Sequence, residues 1–425
     1  MWRILEQQRR KYRKFLIAML ILDIIMIFGV SYYYLQRKLP DEIYLFKNRE
    51  DQFDFSLPIE ANIGMDSVEV TSNRSQKIKE NIVFSMEEPF SLYSQKKGSY
   101  TMCLKLFGIL PIQDVNVNVI EKQEIIPSGQ TIGIEINTSG ILVLGIGSIT
   151  GKDGQEYEPA NHIVATGDYI RKINGVAIDS KEELIRELRK ITQEKVYLTL
   201  ERKKEEIEVV IKAIENVDGD YKLGIWVRDD TQGLGTLTYI SENGIFGALG
   251  HGINDVDTGI LMEISSGNIY DAGVYKIVKG EKGNPGEITG YIKKTEAHKL
   301  GTITKNTSHG IIGEYLVVPN QQALPIALKQ EIKKGEASIL CEIDGEVKAY
   351  DIKIEKIDVN SRSESKGMLI SIVDPKLLQK TNGIVQGMSG SPIIQDGKLI
   401  GAVTHVLVND PTRGYGIFIE NMLEH

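Results

Sequence analysis

From about residue 216 to the C-terminus, the chain is written in short β-branched runs broken by glycine, with few helix signals. Leu234–Ile240, Gly259–Ile264, Ser338–Ile343, Val347–Ile354 and Leu399–Val408 are the clearest of these runs. Repeated short strands between glycine turns restrict this half to a barrel or a sandwich. Ala323–Lys333 reads as a short helix or an irregular segment. With 425 residues the chain is long enough for two or three domains with real cores. A net charge of −8 leaves no basic footprint for nucleic acid. Two cysteines, Cys103 and Cys341, exclude a disulfide-rich scaffold and read as buried free thiols. The sequence has no His-Glu-x-x-His or Cys-x-x-Cys motif, which disfavours a metallopeptidase, and no phosphate-cradling glycine loop.

The N-terminus carries Arg3, Arg9, Arg10, Lys11, Arg13 and Lys14 ahead of an apolar run from Phe15 to Leu35. At about 1.5 Å per residue, a helix of that length reaches the roughly 30 Å of a hydrocarbon core. The basic flank predicts a cytoplasmic N-terminus, with the rest of the chain outside the cytoplasm. Tyr32, Tyr33 and Tyr34 suit the outer interface, while Asp23 sits inside the span at an energetic cost. Residues 1–36 are therefore expected to be a short tail and an uncleaved signal-anchor, followed by a polar linker over 37–60. Residues 61–128 carry alternating runs such as Val115–Ile120 and read as a small β-rich segment.

Residues 129–215 are more legible. Ile132–Ile136 and Gly140–Leu144 read as strands, and Gly167–Gly175 as a strand ending in a tight Asn174-Gly175 turn. Ser180 with Glu183 forms a capping box for a helix whose apolar face is Leu184, Ile185, Leu188 and Ile191. The block, with Gly167-Asp168-Tyr169-Ile170 and Ile173-Asn174-Gly175, resembles a PDZ domain. The resemblance implies an extended peptide bound as an added strand, and places its groove at Leu142, Val143, Leu144, Gly145 and Ile146.

Gly387-Met388-Ser389-Gly390-Ser391-Pro392 reads as a nucleophile loop. A serine among glycines allows a sharp turn and brings backbone N–H groups close to a reacting carbonyl. Gly247-Ala248-Leu249-Gly250-His251-Gly252 offers a histidine in a similarly tight setting. Ser391 is the internal competitor of Ser389, but its place before Pro392 suits packing better. His405 could lie near the pocket, although a core or surface role suits it better, and His162, His298, His309 and His425 have no motif around them.

With Gly283-Asn284-Pro285-Gly286-Glu287 added to these two motifs, residues 216–425 resemble the stage IV sporulation protein B serine peptidases of endospore-forming bacteria. The likeness runs through the order of anchor, β-rich segment, PDZ domain and peptidase domain. It implies a mainly β protein ending in a chymotrypsin-like β-barrel peptidase domain. It also implies Ser389 as nucleophile, His251 as general base and Asp374 as the orienting carboxylate, with Asp255 and Asp257 as sequence-near rivals. The backbone N–H groups of Gly387 and Ser389 are the expected oxyanion donors, and the chemistry calls for no cofactor beyond water.

The same resemblance implies a membrane-anchored endopeptidase in the forespore intermembrane space. Its expected partners are a membrane-bound regulatory protein, cleaved on the way to sigma factor activation, and its own N-terminal segment, cut within or near 37–60 to release it. Two other readings stand beside it: a catalytically silent PDZ adaptor, and an envelope quality-control protease.

Overall fold

The structure is a computed structural model describing residues 2–64, 68–72, 75–78, 81–359 and 363–423; His425 lies outside them. The chain divides into two compact units, Met1–Gln123 with Val359–Arg362, and Glu124–Asp358 with Ser363–His425.

In the first unit a single helix runs from Trp2 to Lys38. Its Lys11–Lys38 stretch is long and apolar enough to cross a membrane, and an 18-residue window within it has a mean hydropathy of 2.4. Behind it, a six-stranded sheet is ordered Glu42–Phe46, Leu110–Ile120, Gly98–Leu106, Ile59–Gly64, Asn81–Ser85 and Ser75–Ile78. A second sheet joins Glu50–Phe53, Phe90–Tyr93 and Glu69–Thr71.

Residues 37–60, expected as a polar linker, are instead built into the first unit. Leu39, Ile43, Leu45, Phe53, Leu57 and Ile59 are all buried in one apolar core with Phe84, Phe90 and Val117. Glu42–Phe46 pairs in parallel with Asn116–Ile120. Polar residues alternate with these apolar ones because each strand has one solvated face, and that alternation reads as mixed polarity in sequence.

Among the described residues, the second unit holds three apolar cores. The first six-stranded barrel is a ring in which Thr131–Ile146 pairs with Ile264–Val278, which pairs with Lys299–Thr307, then Gly310–Tyr315, Ile245–Ala248 and Ile225–Ser241. The ring closes where Thr131–Asn137 meets Asp230–Thr236. A second closed barrel contains Gly335–Glu342, Val347–Ile357, Met368–Ile372, Asp410–Phe418, Lys398–Leu407 and Pro392–Gln395. Alternate residues of its strands, among them Ile339, Cys341, Ile352, Ile354, Ile370 and Ile372, fill the interior. The paired six-stranded barrels form the chymotrypsin-like architecture. The Ala323–Lys333 stretch resolves into a short strand at Leu324–Pro325 and a 3-10 turn at Lys329–Glu331.

The PDZ fold is inserted into the first barrel rather than placed before it. The ladder between Thr131–Ile146 and Ile225–Ser241 shifts register between Asn137 and Leu142, then resumes with Leu142 opposite Arg228 and Ile146 opposite Ile225. One half of each long strand therefore belongs to the barrel and the other half to the PDZ fold. This moves the boundaries away from 129–215 and 216–425: residues up to Asn137 build the barrel, and Ile225–Arg228 builds the PDZ fold.

The PDZ fold adds Tyr169–Ile173, Lys195–Arg202, Glu205–Lys212 and the helix Lys181–Leu188 around Ile141, Val143, Ile170, Leu184 and Leu198. Ser180 Oγ accepts from the Glu183 N–H at 3.2 Å, while the Glu183 carboxylate accepts from the N–H of Asp179, one residue earlier than expected. Asn174 and Gly175, with φ of 49° and 81°, make the tight turn that the dipeptide calls for. Asp168 of the Gly-Asp pair is buried and takes two bonds from Arg202, at 2.8 and 2.6 Å, and one from the Ala165 N–H at 2.8 Å.

Candidate active site

One strand organises the catalytic region. Thr236, on Ile225–Ser241, donates its N–H to the Ser389 carbonyl at 3.0 Å and its hydroxyl to the Gly387 carbonyl at 2.7 Å. Its own carbonyl accepts from the Leu249 N–H at 3.2 Å, two residues before His251. Thr238 donates to the Gly390 carbonyl at 2.8 Å. A strand of the first barrel thus holds the nucleophile loop and the histidine turn together.

Glycine at 390 is demanded by this approach. A Cβ there would lie 2.1 Å from the Thr236 carbonyl oxygen, and φ is +98°. Leu249 and Gly250 both take left-handed backbone, with φ of 72° and 69°. For leucine that conformation is strained, and the packing around it must sustain it. The loop after the histidine is pinned by Asn306, whose amide bonds the Ile253 N–H and carbonyl at 2.9 and 2.8 Å and the Met262 carbonyl at 2.9 Å. No sequence pattern marks Asn306, because its partners lie far from it along the chain.

His251 and Ser389 line one cavity of about 380 Å³, together with Gly387, Leu234, Leu249 and Val256. His251 Nδ1 lies 2.9 Å from the Gly252 carbonyl. A carbonyl can only accept, so Nδ1 carries the proton and Nε2 keeps its lone pair, the tautomer a general base requires. Burial lowers the imidazole pKa below its ordinary range, partly opposed by the Gly252 carbonyl. The Ser389 hydroxyl donates to the Thr404 carbonyl at 2.7 Å. Among the described residues, no hydrogen bond joins the Ser389 hydroxyl to the His251 ring.

Among the described residues, neither the Gly387 nor the Ser389 N–H has a protein acceptor. Both expected oxyanion donors are thus left for a ligand. Ser391 is fully buried, which argues against it as the nucleophile, and among the described residues its hydroxyl has no partner.

The expected third member is not brought to the histidine. Asp374 caps the helix Pro375–Thr381, accepting from the Lys376 and Leu377 N–H groups at 2.8 and 2.9 Å, and it does not line the cavity. The proline after it favours a helix start, so this carboxylate serves the helix. Asp255 and Asp257 both bind Arg228, the latter at 2.7 Å. Asp255 also accepts from the Asp257 and Thr258 N–H groups at 3.1 and 2.8 Å. Among the described residues, no carboxylate bonds the His251 ring. His405 does meet it, with ring centroids 5.2 Å apart.

The peptide groove also differs from expectation. Leu142 and its neighbours up to Ile146 form an interior strand: Leu142 pairs with Tyr169 on one side, and the segment pairs with Ile225–Arg228 on the other. An apolar cavity of about 540 Å³ lies instead between the helix Lys181–Leu188 and the far edge of Ile225–Arg228, lined by Ile185, Leu188, Leu223, Gly224, Ile225 and Trp226. Among the described residues, no strand pairs with that edge. The sequence signal was Leu223-Gly224-Ile225-Trp226, a glycine-bearing apolar turn leading into a strand.

Residues 219–423 match the family described as SpoIVB peptidase S55. The PDZ domain of an SdrC-like protein from Listeria monocytogenes is 23% identical, covering 21% of this chain and 87% of that one, at a TM-score of 0.17. Its counterpart from Listeria innocua is 23% identical over 20% of this chain and 93% of that one, at 0.16. An HtrA-type protease variant with a decapeptide is 12% identical over 46% of this chain and 51% of that one, at 0.27. Comparison with curated proteins finds no match. The matched residues 219–423 contain His251, Ser389 and the cavity they share, and the chain is a serine peptidase similar to the SpoIVB peptidase S55 family.

Proposed function

We propose that this chain is a membrane-anchored endopeptidase that cleaves a membrane-bound regulatory protein in the intercompartment signalling of sporulation, and that it processes its own N-terminal segment. The carrying observation is the shared cavity of His251 and Ser389, with the Gly387 and Ser389 N–H groups open beside the nucleophile. In this reading Ser389 Oγ bonds the scissile carbonyl carbon as its proton passes to His251 Nε2. The two N–H groups hold the oxyanion, and the proton is then returned to the leaving amine.

The apolar helix supports an anchored protein, and its basic flank supports a cytoplasmic N-terminus with the peptidase outside. The free edge of Ile225–Arg228 supports recruitment of an extended peptide. Self-processing within 37–60 requires local opening, since that stretch is built into a sheet and a core.

A silent adaptor is the second reading, and the bond between Ser389 and Thr404 is the observation that favours it. The deciding experiment expresses the full-length chain in membranes beside Ser389→Ala and maps product N-termini, with a co-expressed membrane-anchored reporter as substrate. Trimming and reporter cleavage by wild type alone support the peptidase. Identical behaviour of the two chains supports the adaptor.

A further inference from the structure

Any serine peptidase must offset the charge and fix the ring of the histidine that accepts the serine proton. Here the Nδ1 side of His251 is taken by the Gly252 carbonyl, and no carboxylate bonds the ring among the described residues. The group that packs on the imidazole is a second imidazole, that of His405, tilted by 40° at 5.2 Å between centroids. His405 lies on Lys398–Leu407, next to Thr404, whose carbonyl holds the Ser389 hydroxyl. Among the described residues, its Nδ1 is buried with no hydrogen-bond partner. A buried, unpartnered ring nitrogen carries a desolvation cost, and a nearby group that gains charge during the reaction would relieve it.

We propose that His405 is a positioning residue for His251, holding its ring in the cavity and supporting the imidazolium that forms when Ser389 attacks. In that step the Ser389 proton moves to His251 Nε2, Oγ bonds the carbonyl carbon, and His405 neither gains nor loses a proton. The groups facing His405 explain how it stays neutral. His251 stands on one side, Lys366 is close, and Tyr415 is its partner on the paired strand Asp410–Phe418. Burial, then His251 and Lys366, push its pKa down to about 4. A neutral ring supports a neighbouring cation, whereas a protonated one would oppose it.

This inference rests on the serine-peptidase reading, and the test separates the two. The full-length chain in detergent is labelled with a fluorophosphonate from pH 4 to 9, beside Ser389→Ala, His405→Phe and His405→Gln, with thermal unfolding recorded for each. Wild type labels and Ser389→Ala does not. His405→Phe keeps the ring packing but lacks the nitrogen, so its plateau rate falls about tenfold or more. Its acid limb moves to lower pH, because an imidazolium without support deprotonates more easily. His405→Gln, which retains an acceptor, recovers part of the rate. If both variants label with the wild-type rate and pH profile, this inference alone is overturned. If wild type does not label, the peptidase reading falls and takes the inference with it.

Discussion

Arg228, on the strand that edges the PDZ groove, grips Asp255, in the loop that follows the catalytic-site histidine. Its second nitrogen holds Asp257 at 2.7 Å. Asp255 is only 2% exposed, and the same loop supplies Asn254 and Val256 to the wall of the cavity. The open edge of Ile225–Arg228 and the cavity shared by His251 and Ser389 are therefore tied by one ion pair with a buried carboxylate, as well as by the continuous Ile225–Ser241 strand.

Arg228→Ala leaves a buried carboxylate unpaired. Removing one partner of such a pair is costly, and with Arg228 partly exposed the expected loss is about 1–3 kcal/mol. Burial raises the Asp255 pKa, but the Thr258 bonds and Arg228 outweigh it, so the carboxyl sits below its ordinary range. Its contribution is present above the unfolded carboxylate value and is lost as pH falls through the lower, folded value. Urea denaturation at pH 7 and pH 3 checks this: Arg228→Ala is destabilised at pH 7, and the gap to wild type narrows at pH 3.

Asp374→Ala removes a helix cap. The expected cost is about 0.5–2 kcal/mol, largely restored in Asp374→Asn, which caps equally well. Fluorophosphonate labelling per folded molecule stays within a few-fold of wild type. A thousand-fold loss in folded Asp374→Asn would instead place that carboxylate in the chemistry.

Ile185→Glu puts a charge into the apolar groove at a position that is 48% exposed. An exposed helix position tolerates the change within about 0.5 kcal/mol. Binding of extended peptides with apolar C-termini, followed by fluorescence of the adjacent Trp226, weakens tenfold or more. Val143→Ala, on the interior strand first expected to form the groove, destabilises the PDZ fold instead.

Burial lowers the pKa values of both His251 and His405, so the unfolded chain binds protons that the folded chain does not. Stability is therefore full above about pH 6.5 and declines as pH falls towards 4. Thermal unfolding across this window shows the decline, and His405→Phe, which cannot protonate, makes it shallower. The same sign keeps His251 available as a base somewhat below the ordinary imidazole range.

Much of the site was legible because its demands are local. A serine between glycines and a histidine after a left-handed Leu249-Gly250 pair are turn chemistry, which neighbouring residues impose on each other. Asn174-Gly175 and the Ser180 cap were readable for the same reason. Asp374 misled because an aspartate before proline reads alike as a cap and as a triad member until its partners are seen. The 37–60 stretch misled because strands with one wet face alternate polar and apolar residues.

By itself the sequence determined the strand-and-turn character of the chain, its apolar N-terminal helix, the PDZ fold and the pairing of Ser389 with His251 as candidates. Only the tertiary structure decided that the PDZ fold interrupts a barrel, that its open edge is Ile225–Arg228, and that His405 rather than a carboxylate faces the His251 ring. The reason is physical: turns and caps are settled within a few residues, whereas strand neighbours and ring contacts are settled across the chain, and a period-two pattern does not name its partner.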